Sequence, residues 1–262
     1  MRAPLHPDFL SHPIAHRAFH NIAQNRPENS LAAVQAAVDA GYGIEIDLQP
    51  ASDGVPMVFH DETLDRMTAE TGPIAAHSSE ALGRIALNNG KGAGIPTLAE
   101  VLRAVAGRVP LLIEIKDQSG SLGPVDGALE RATVHALEGY QGPVALMSFN
   151  PHSVAELVKA APHLPRGLTT YAFPSSDFPQ AEGNPVLEAR RASLAAIADY
   201  DRTGAVFISH HWRDLARPRV AELKAKGAAV LCWTIRSPEE EAIARQVAQN
   251  ITFEHYAPES VQ

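Results

Sequence analysis

Three carboxylates stand where apolar side chains are expected. In Gly43-Ile44-Glu45-Ile46-Asp47-Leu48, Glu45 and Asp47 alternate with Ile44, Ile46 and Leu48. On a β-strand the two acids therefore share one face and the aliphatic residues the other. Leu111-Leu112-Ile113-Glu114-Ile115-Lys116 repeats the pattern, with Glu114 and Lys116 opposite Ile113 and Ile115. Carboxylates gathered in a partly buried place cannot all stay ionised unaided. Two arrangements relieve the conflict. One is a set of internal ion pairs, such as Glu114 with Lys116; the other is a divalent cation. Oxygen ligands without cysteine favour a hard ion, Mg2+ or Ca2+. Spacing alone leaves both open. His16-Arg17 and His60-Asp61 each close a strand-like run. Two histidines flanking a bound cation suit general acid and general base roles, although a lone histidine is more often a hydrogen-bonded structural residue. Arg17 and Lys116 supply positive charge for an anionic group such as phosphate.

The elements that must position these residues alternate in type. Thr97-Leu98-Ala99-Glu100 has capping-box form and opens a helix with Leu98, Val101, Leu102 and Val105 on one face. Leu111 to Ile115 follows as a strand, then a helix from about Ser121 to Gly139 and a strand at Val144 to Phe149. Asn150-Pro151 reads as N-cap and first turn of the next helix. Further strands are expected at Gly167 to Tyr171, Ala205 to Ile208, Ala229 to Ile235 and Ile251 to Phe253. The helices between them lie within Asn184 to Ala198, Arg213 to Lys226 and Ser237 to Gln249. With Ala15-His16 and Gly43 to Leu48 flanking a helix, about eight βα strands fit the 262 residues. That total predicts an α/β fold, a (β/α)8 TIM barrel, as a single domain over 1-262. The stretch 49-96 is too long for a βα loop and carries its own strand-like Val55 to His60, so it reads as a small insertion after the second barrel strand, at the mouth. Only a few residues follow Phe253, too few for a full eighth helix. A homodimer partner or the N-terminal segment is expected to close that side.

Composition narrows the partners. Thirty acids against twenty-two bases give a formal charge of −8, which argues against nucleic acid. The single cysteine, Cys232, excludes an internal disulfide and reads as a small buried hydrophobe. No stretch approaches a membrane span, and the N-terminus lacks the apolar core of a secretory signal, so a cytoplasmic location is expected. Among the twelve histidines, adjacent His210 and His211 point to opposite faces, and at most one can face a site.

Together, His16-Arg17, Pro27-Glu28-Asn29, Glu45-Ile46-Asp47, Asp53-Gly54, His60-Asp61 and Glu114-Ile115-Lys116 resemble the glycerophosphodiester phosphodiesterase family. The match is clear from about Pro13 to Lys116 and less specific afterwards, through Ser148-Phe149 and Trp233-Thr234. The resemblance implies a (β/α)8 barrel and metal-dependent hydrolysis of a small-molecule glycerophosphodiester to sn-glycerol 3-phosphate and an alcohol, through a cyclic phosphate. It implies that Glu45, Asp47 and Glu114 hold one divalent cation, that His16 and His60 are the acid and base, and that Arg17 and Lys116 contact phosphate. Glu28 would orient Arg17 or the metal, and Asn29 would cap the helix that follows it.

The sequence departs from the family pattern at Ala18, usually glycine, which is expected to narrow the site. It departs also at Met67, at Arg236 and in Thr252-Phe253-Glu254. Arg236 either binds an anionic head group or pairs with Glu239 or Glu240. Phe149, Trp233 and Phe253 either line an apolar wall of the mouth or belong to the core. Two rival readings are a sphingomyelinase D-like phospholipid phosphodiesterase and a barrel that binds phosphodiesters without turnover. Glu114 in Glu-Ile-Lys and the Pro27-Glu28-Asn29 motif disfavour the first, and retention of both histidines with all three acids disfavours the second.

Overall fold

The computed structural model describes residues 2–259. A short helix α1 (Asp8–Ser11) precedes strand β1 (Ile14–Ala15), helix α2 (Leu31–Ala40) and strand β2 (Gly43–Pro50). Strand β3 (Pro56–Val58) and helices α3 (Ser79–Leu82) and α4 (Leu98–Val105) follow. The chain then alternates through β4 (Leu111–Ile115), α5 (Ala128–Ala136), β5 (Val144–Ser148), α6 (Pro151–Ala160) and β6 (Arg166–Thr170). It ends with α7 (Pro185–Ala195), β7 (Phe207–His211), α8 (Pro218–Ala225), β8 (Ala229–Ile235), α9 (Pro238–Ala244) and β9 (Asn250–Phe253). Neighbouring strands pair in parallel in the order β1-β9-β8-β7-β6-β5-β4-β2, and β1 also pairs with β2, so eight strands close a barrel with helices outside. The barrel expected from sequence is therefore present. β1 pairs with both β9 and β2 and so completes the ring of strands. Among the described residues no helix is long and apolar enough to cross a membrane.

The period-two pattern sets what each strand face does. Ile44, Ile46, Leu48, Ile113 and Ile115 join Ala33, Val34, Val101 and Leu102 in the layer between barrel and helices. Each fully buried Leu, Val or Ile contributes about 1.5–3 kcal/mol relative to exposure. The Thr97–Glu100 capping box forms with both of its bonds, as the sequence predicts. Inside the barrel, Phe9, Ile14, Leu112, Ala145, Phe207 and Leu231 form a second apolar cluster. Asn250 Nδ2 donates to the carbonyls of Phe9 and His12, at 2.8 and 2.6 Å, and ties α1 beneath the barrel. Along β4 the inward residues run Leu112, Glu114 and then Lys116, so polarity rises toward the C-terminal ends of the strands, where barrel active sites sit.

Several boundaries differ from expectation. The helix expected from about Ser121 starts only at Ala128, because Gly127 adopts φ +76° and Asp117 holds the preceding loop through Ser119 and the Leu122 amide. The strand expected at Ala205 to Ile208 lies two residues later, at Phe207–His211. The helices expected over Arg213 to Lys226 and Ser237 to Gln249 are shorter, and Trp212–Asp214 forms a separate turn. After β2 the chain doubles back through β3, antiparallel with Leu48 opposite Val58, and packs Met57, Phe59, Leu64, Ile74, Leu82, Leu87 and Ile95 into a small core of its own.

Candidate active site

Strands β2 and β4 are in register with Asp47 opposite Glu114, and Glu45 lies two residues earlier on the same face as Asp47. Glu45, Asp47 and Glu114 are buried, and each offers an oxygen within 4.8 Å of the others. Lys116 Nζ reaches Glu114 Oε1 at 2.7 Å and Asp47 Oδ1 at 3.4 Å. The internal ion pair left open by the sequence therefore exists, and it coexists with the acidic cluster. It does not neutralise it: burial and the neighbouring Asp47 and Glu114 charges push the Glu45 carboxyl well above its usual range. Burial raises Glu114 as well. Burial would also raise Asp47, but Lys116, His60, Arg17 and the Asn29 amide hold it below the usual carboxylate range. Three hard oxygens at this spacing, with ionisation of Glu45 disfavoured by its neighbours, are compatible with a divalent cation.

His16 and His60 line the same small cavity as the cluster, of about 200 Å3, with Arg17, Lys116, Phe149, Trp233 and Arg236. Each histidine is held through Nδ1 by a carboxylate: His16 by Glu254 Oε2 at 2.8 Å, His60 by Asp61 Oδ1 at 2.7 Å. A carboxylate accepts, so Nδ1 carries the hydrogen and Nε2 is the nitrogen left for chemistry. Burial lowers His16, outweighing the hydrogen bond to Glu254 that raises it, and burial likewise lowers His60 against the pull of Asp47. Burial would raise Glu254, but the His16 hydrogen bond keeps it well below its ordinary value.

Arg17 is fixed from several sides. Its backbone N–H donates to Glu45 Oε2 at 2.8 Å and its Nη1 to Glu28 Oε1 at 3.0 Å. Its buried Nε has no hydrogen-bond partner, with Asp47 Oδ2 3.7 Å away. Glu28 in turn accepts from Arg66, at 2.6 and 2.9 Å, and Arg66 also binds Asp61. A charged chain thus runs from Asp47 through Arg17, Glu28, Arg66 and Asp61 to His60. Three buried hydroxyls lining the cavity, on Thr169, Ser209 and Thr252, also lack partners.

Several sequence expectations need correction. Asn29 does not cap α2. Ser30 does, and the Asn29 amide donates to Asp47 Oδ2 at 2.9 Å. The Arg236 guanidinium pairs with Glu254 at 2.7 Å, not with Glu239 or Glu240; only its backbone N–H donates to Glu240. Phe253 is 1% exposed and packs against Tyr42 in the core, away from the mouth, whereas Phe149 and Trp233 do line the cavity. Ala18 sits in the apolar layer outside the barrel and does not line the cavity, so its methyl does not narrow the site. His210 is buried against Thr170 Oγ1, and neither it nor His211 lines the cavity. Sequence reasoning named Asp61 and Glu254 only within motifs and assigned no role to them or to Arg66. Asp61 had a local signal beside His60; Glu254, 238 residues from His16, had none that pointed to its partner.

The family model for the glycerophosphoryl diester phosphodiesterase family matches residues 16–252. A glycerophosphodiester phosphodiesterase of Caldanaerobacter subterraneus subsp. tengcongensis is 35% identical over 163 residues, covering 59% of this chain and 65% of that protein. One from Bacillus altitudinis is 34% identical over 164 residues, 60% of this chain and again 65% of the relative. The aligned part of the chain thus spans just under two thirds of these relatives. Among solved structures, an Oleispira antarctica phosphodiesterase in complex with the product sn-glycerol-3-phosphate superposes with a TM-score of 0.73 at 24% identity, over 94% of this chain and 93% of that one. That likeness carries the barrel fold. With the family model spanning the barrel from His16 on β1's end to Thr252 on β9, this chain belongs to the glycerophosphoryl diester phosphodiesterase family.

Proposed function

We propose that the chain hydrolyses glycerophosphodiesters to sn-glycerol 3-phosphate and an alcohol, with one divalent cation, Mg2+ or Ca2+, at Glu45, Asp47 and Glu114. The observation that carries this reading is the pairing of two half-buried His–carboxylate couples in one cavity with the acidic cluster. The unpartnered Arg17 Nε and the Lys116 ammonium take the non-bridging phosphate oxygens. Glu28 positions Arg17, and Phe149, Trp233 and Arg236 face the remainder of the substrate.

One histidine accepts, at Nε2, the proton of the glycerol 2-hydroxyl as that oxygen bonds to phosphorus. The bond from phosphorus to the alcohol oxygen breaks, and the other histidine, protonated at Nε2, donates to it. Water then opens the cyclic phosphate with the two roles exchanged, so both imidazoles end as they began. Glu254 and Asp61 stabilise each imidazolium while it lasts. The cation, when bound, lowers the pKa of a coordinated hydroxyl and offsets the charge that builds on phosphate. We also take the chain as one barrel domain whose 49-96 insertion walls the mouth, since Asp61, Glu62, Thr63, Arg66 and Met67 line its grooves.

The test is release of sn-glycerol 3-phosphate from choline, ethanolamine and glycerol diesters, with Mg2+ and Ca2+ in separate arms. EDTA should abolish it, and His16→Ala or His60→Ala should lower kcat by at least ~100-fold. No release from any diester with either metal overturns the reading.

A further inference from the structure

The catalytic cavity opens on one side into a larger one of about 790 Å3, and the two share His60, Glu114, Lys116, Phe149 and Trp233. One wall of the larger cavity is aromatic. Phe149 meets Trp233 edge-on at 5.4 Å between centroids and Tyr171 edge-on at 5.9 Å. Phe173 backs Tyr171 at 4.0 Å and is itself buried. Phe149, Tyr171 and Trp233 keep part of their surface open. The rim is acidic as well. Asp117 and Asp177 accept from neutral donors, Ser119, Asn150 and Ser176, and Glu62 is exposed. The nearby cations are committed elsewhere, Arg66 to Asp61 and Glu28, Lys116 to Glu114 and Asp47. A second groove of about 800 Å3 touches the catalytic cavity only at Arg17, and its two arginines, Arg17 and Arg66, are balanced by Glu28 and Glu254.

Aromatic rings and carboxylates without a cationic partner, lining one cavity, favour a ligand that is apolar in surface and positive in charge. Such a cation is attracted by the negative faces of the rings, loses little hydration on leaving water, and is drawn by the rim. A primary ammonium is more strongly hydrated, and a polyol gains nothing from the rings. We propose that the alcohol this chain releases is a quaternary ammonium alcohol, its trimethylammonium group seated on Phe149, Tyr171 and Trp233. This rests on the phosphodiesterase reading and adds which alcohol the site selects.

The experiment compares kcat/KM for glycerophosphocholine with that for its uncharged carbon isostere, the 3,3-dimethylbutyl ester, with glycerophosphoethanolamine as a third substrate. The choline ester should exceed the isostere by about tenfold, within the range of a partly desolvated cation–π contact. Tyr171→Leu should lower that ratio at least threefold, and Tyr171→Phe should keep it. Equal rates for the two esters, or a ratio that Tyr171→Leu leaves alone, overturn the proposal. Calorimetric titration with choline chloride and with 3,3-dimethylbutanol supplies a readout independent of turnover. Choline binding without hydrolysis of any diester would refute the catalytic reading and leave the cation site standing. Hydrolysis of every diester at similar rates without choline binding would do the reverse.

Discussion

Replacing Glu254 by glutamine removes a charge while keeping an acceptor of nearly the same shape beside His16. The bond in question is 2.8 Å long, between side chains that are 17% and 9% exposed, so water screens it little. A hydrogen bond to a charged group in such surroundings contributes about 1.5–3 kcal/mol. The variant loses that stabilisation when His16 becomes an imidazolium. Since 1.36 kcal/mol is tenfold in rate, Glu254→Gln should lower kcat about 10- to 150-fold. The pH profile gives a second readout. Glu254 raises His16, partly opposing burial, so its removal should move the acid limb of kcat/KM to lower pH. A packing defect would not shift that limb. Arg236→Ala removes only the exposed partner of Glu254 and should cost no more than about fivefold. Stability carries the sign of a depressed carboxyl. The wild-type contribution is complete above the ordinary value of 4.5 and is lost as pH falls below it, so the wild type should lose its advantage over the variant in acid. The assay is steady-state release of glycerol phosphate from pH 5 to 9, with thermal melts alongside. A kcat within threefold of wild type, with an unmoved acid limb, would refute the reasoning.

Saturation with Mg2+ or Ca2+ at a hundredfold over Kd should stabilise the fold by about 2.7 kcal/mol and raise Tm by roughly 5–10 °C. Glu45→Gln should abolish that shift without lowering the metal-free Tm, because burial and two neighbouring acids disfavour the charge that the substitution removes; an undiminished shift in the variant would count against the metal site. Metal-free protein should lose stability in denaturant melts as pH rises above 4.5, since Glu45 and Glu114 have raised values and must ionise against burial. A saturating cation should flatten that slope, and parallel profiles with and without metal would refute it. Gly167→Ala should cost about 1–3 kcal/mol by overpacking, because the added Cβ would lie 2.3 Å from the Phe207 ring, and Gly167→Ala/Phe207→Leu should recover part of it; a wild-type denaturation midpoint in the single variant is the contrary result.

Much of this molecule follows from local pattern. The period-two alternation in Gly43–Leu48 and Leu111–Lys116 already separates an apolar face from an acidic one, and the βα rhythm already implies a barrel whose strand ends gather those acids. His16, His60, Arg17 and Lys116 were legible because each sits at the end of its strand. What pattern misjudged were terminal details with several local solutions. Ser30 and Asn29 can each cap a helix, and only the position of Asp47 decides that Asn29 faces inward. The 121–127 stretch has helix-like spacing, yet Asp117 organises it as a loop.

The sequence by itself determined the barrel, the acidic face and the pairing of histidines with strand ends, because these depend on periodicities carried by a few consecutive residues. Only the tertiary structure decided that Glu254 holds His16, that Arg236 belongs to Glu254, and that the aromatic residues just after β5 and β6 meet Trp233 of β8 in one wall. The His16–Glu254 and aromatic contacts join residues far apart in the chain. Closing the barrel through β1, and the register it imposes on β9, is what brings Glu254 to His16.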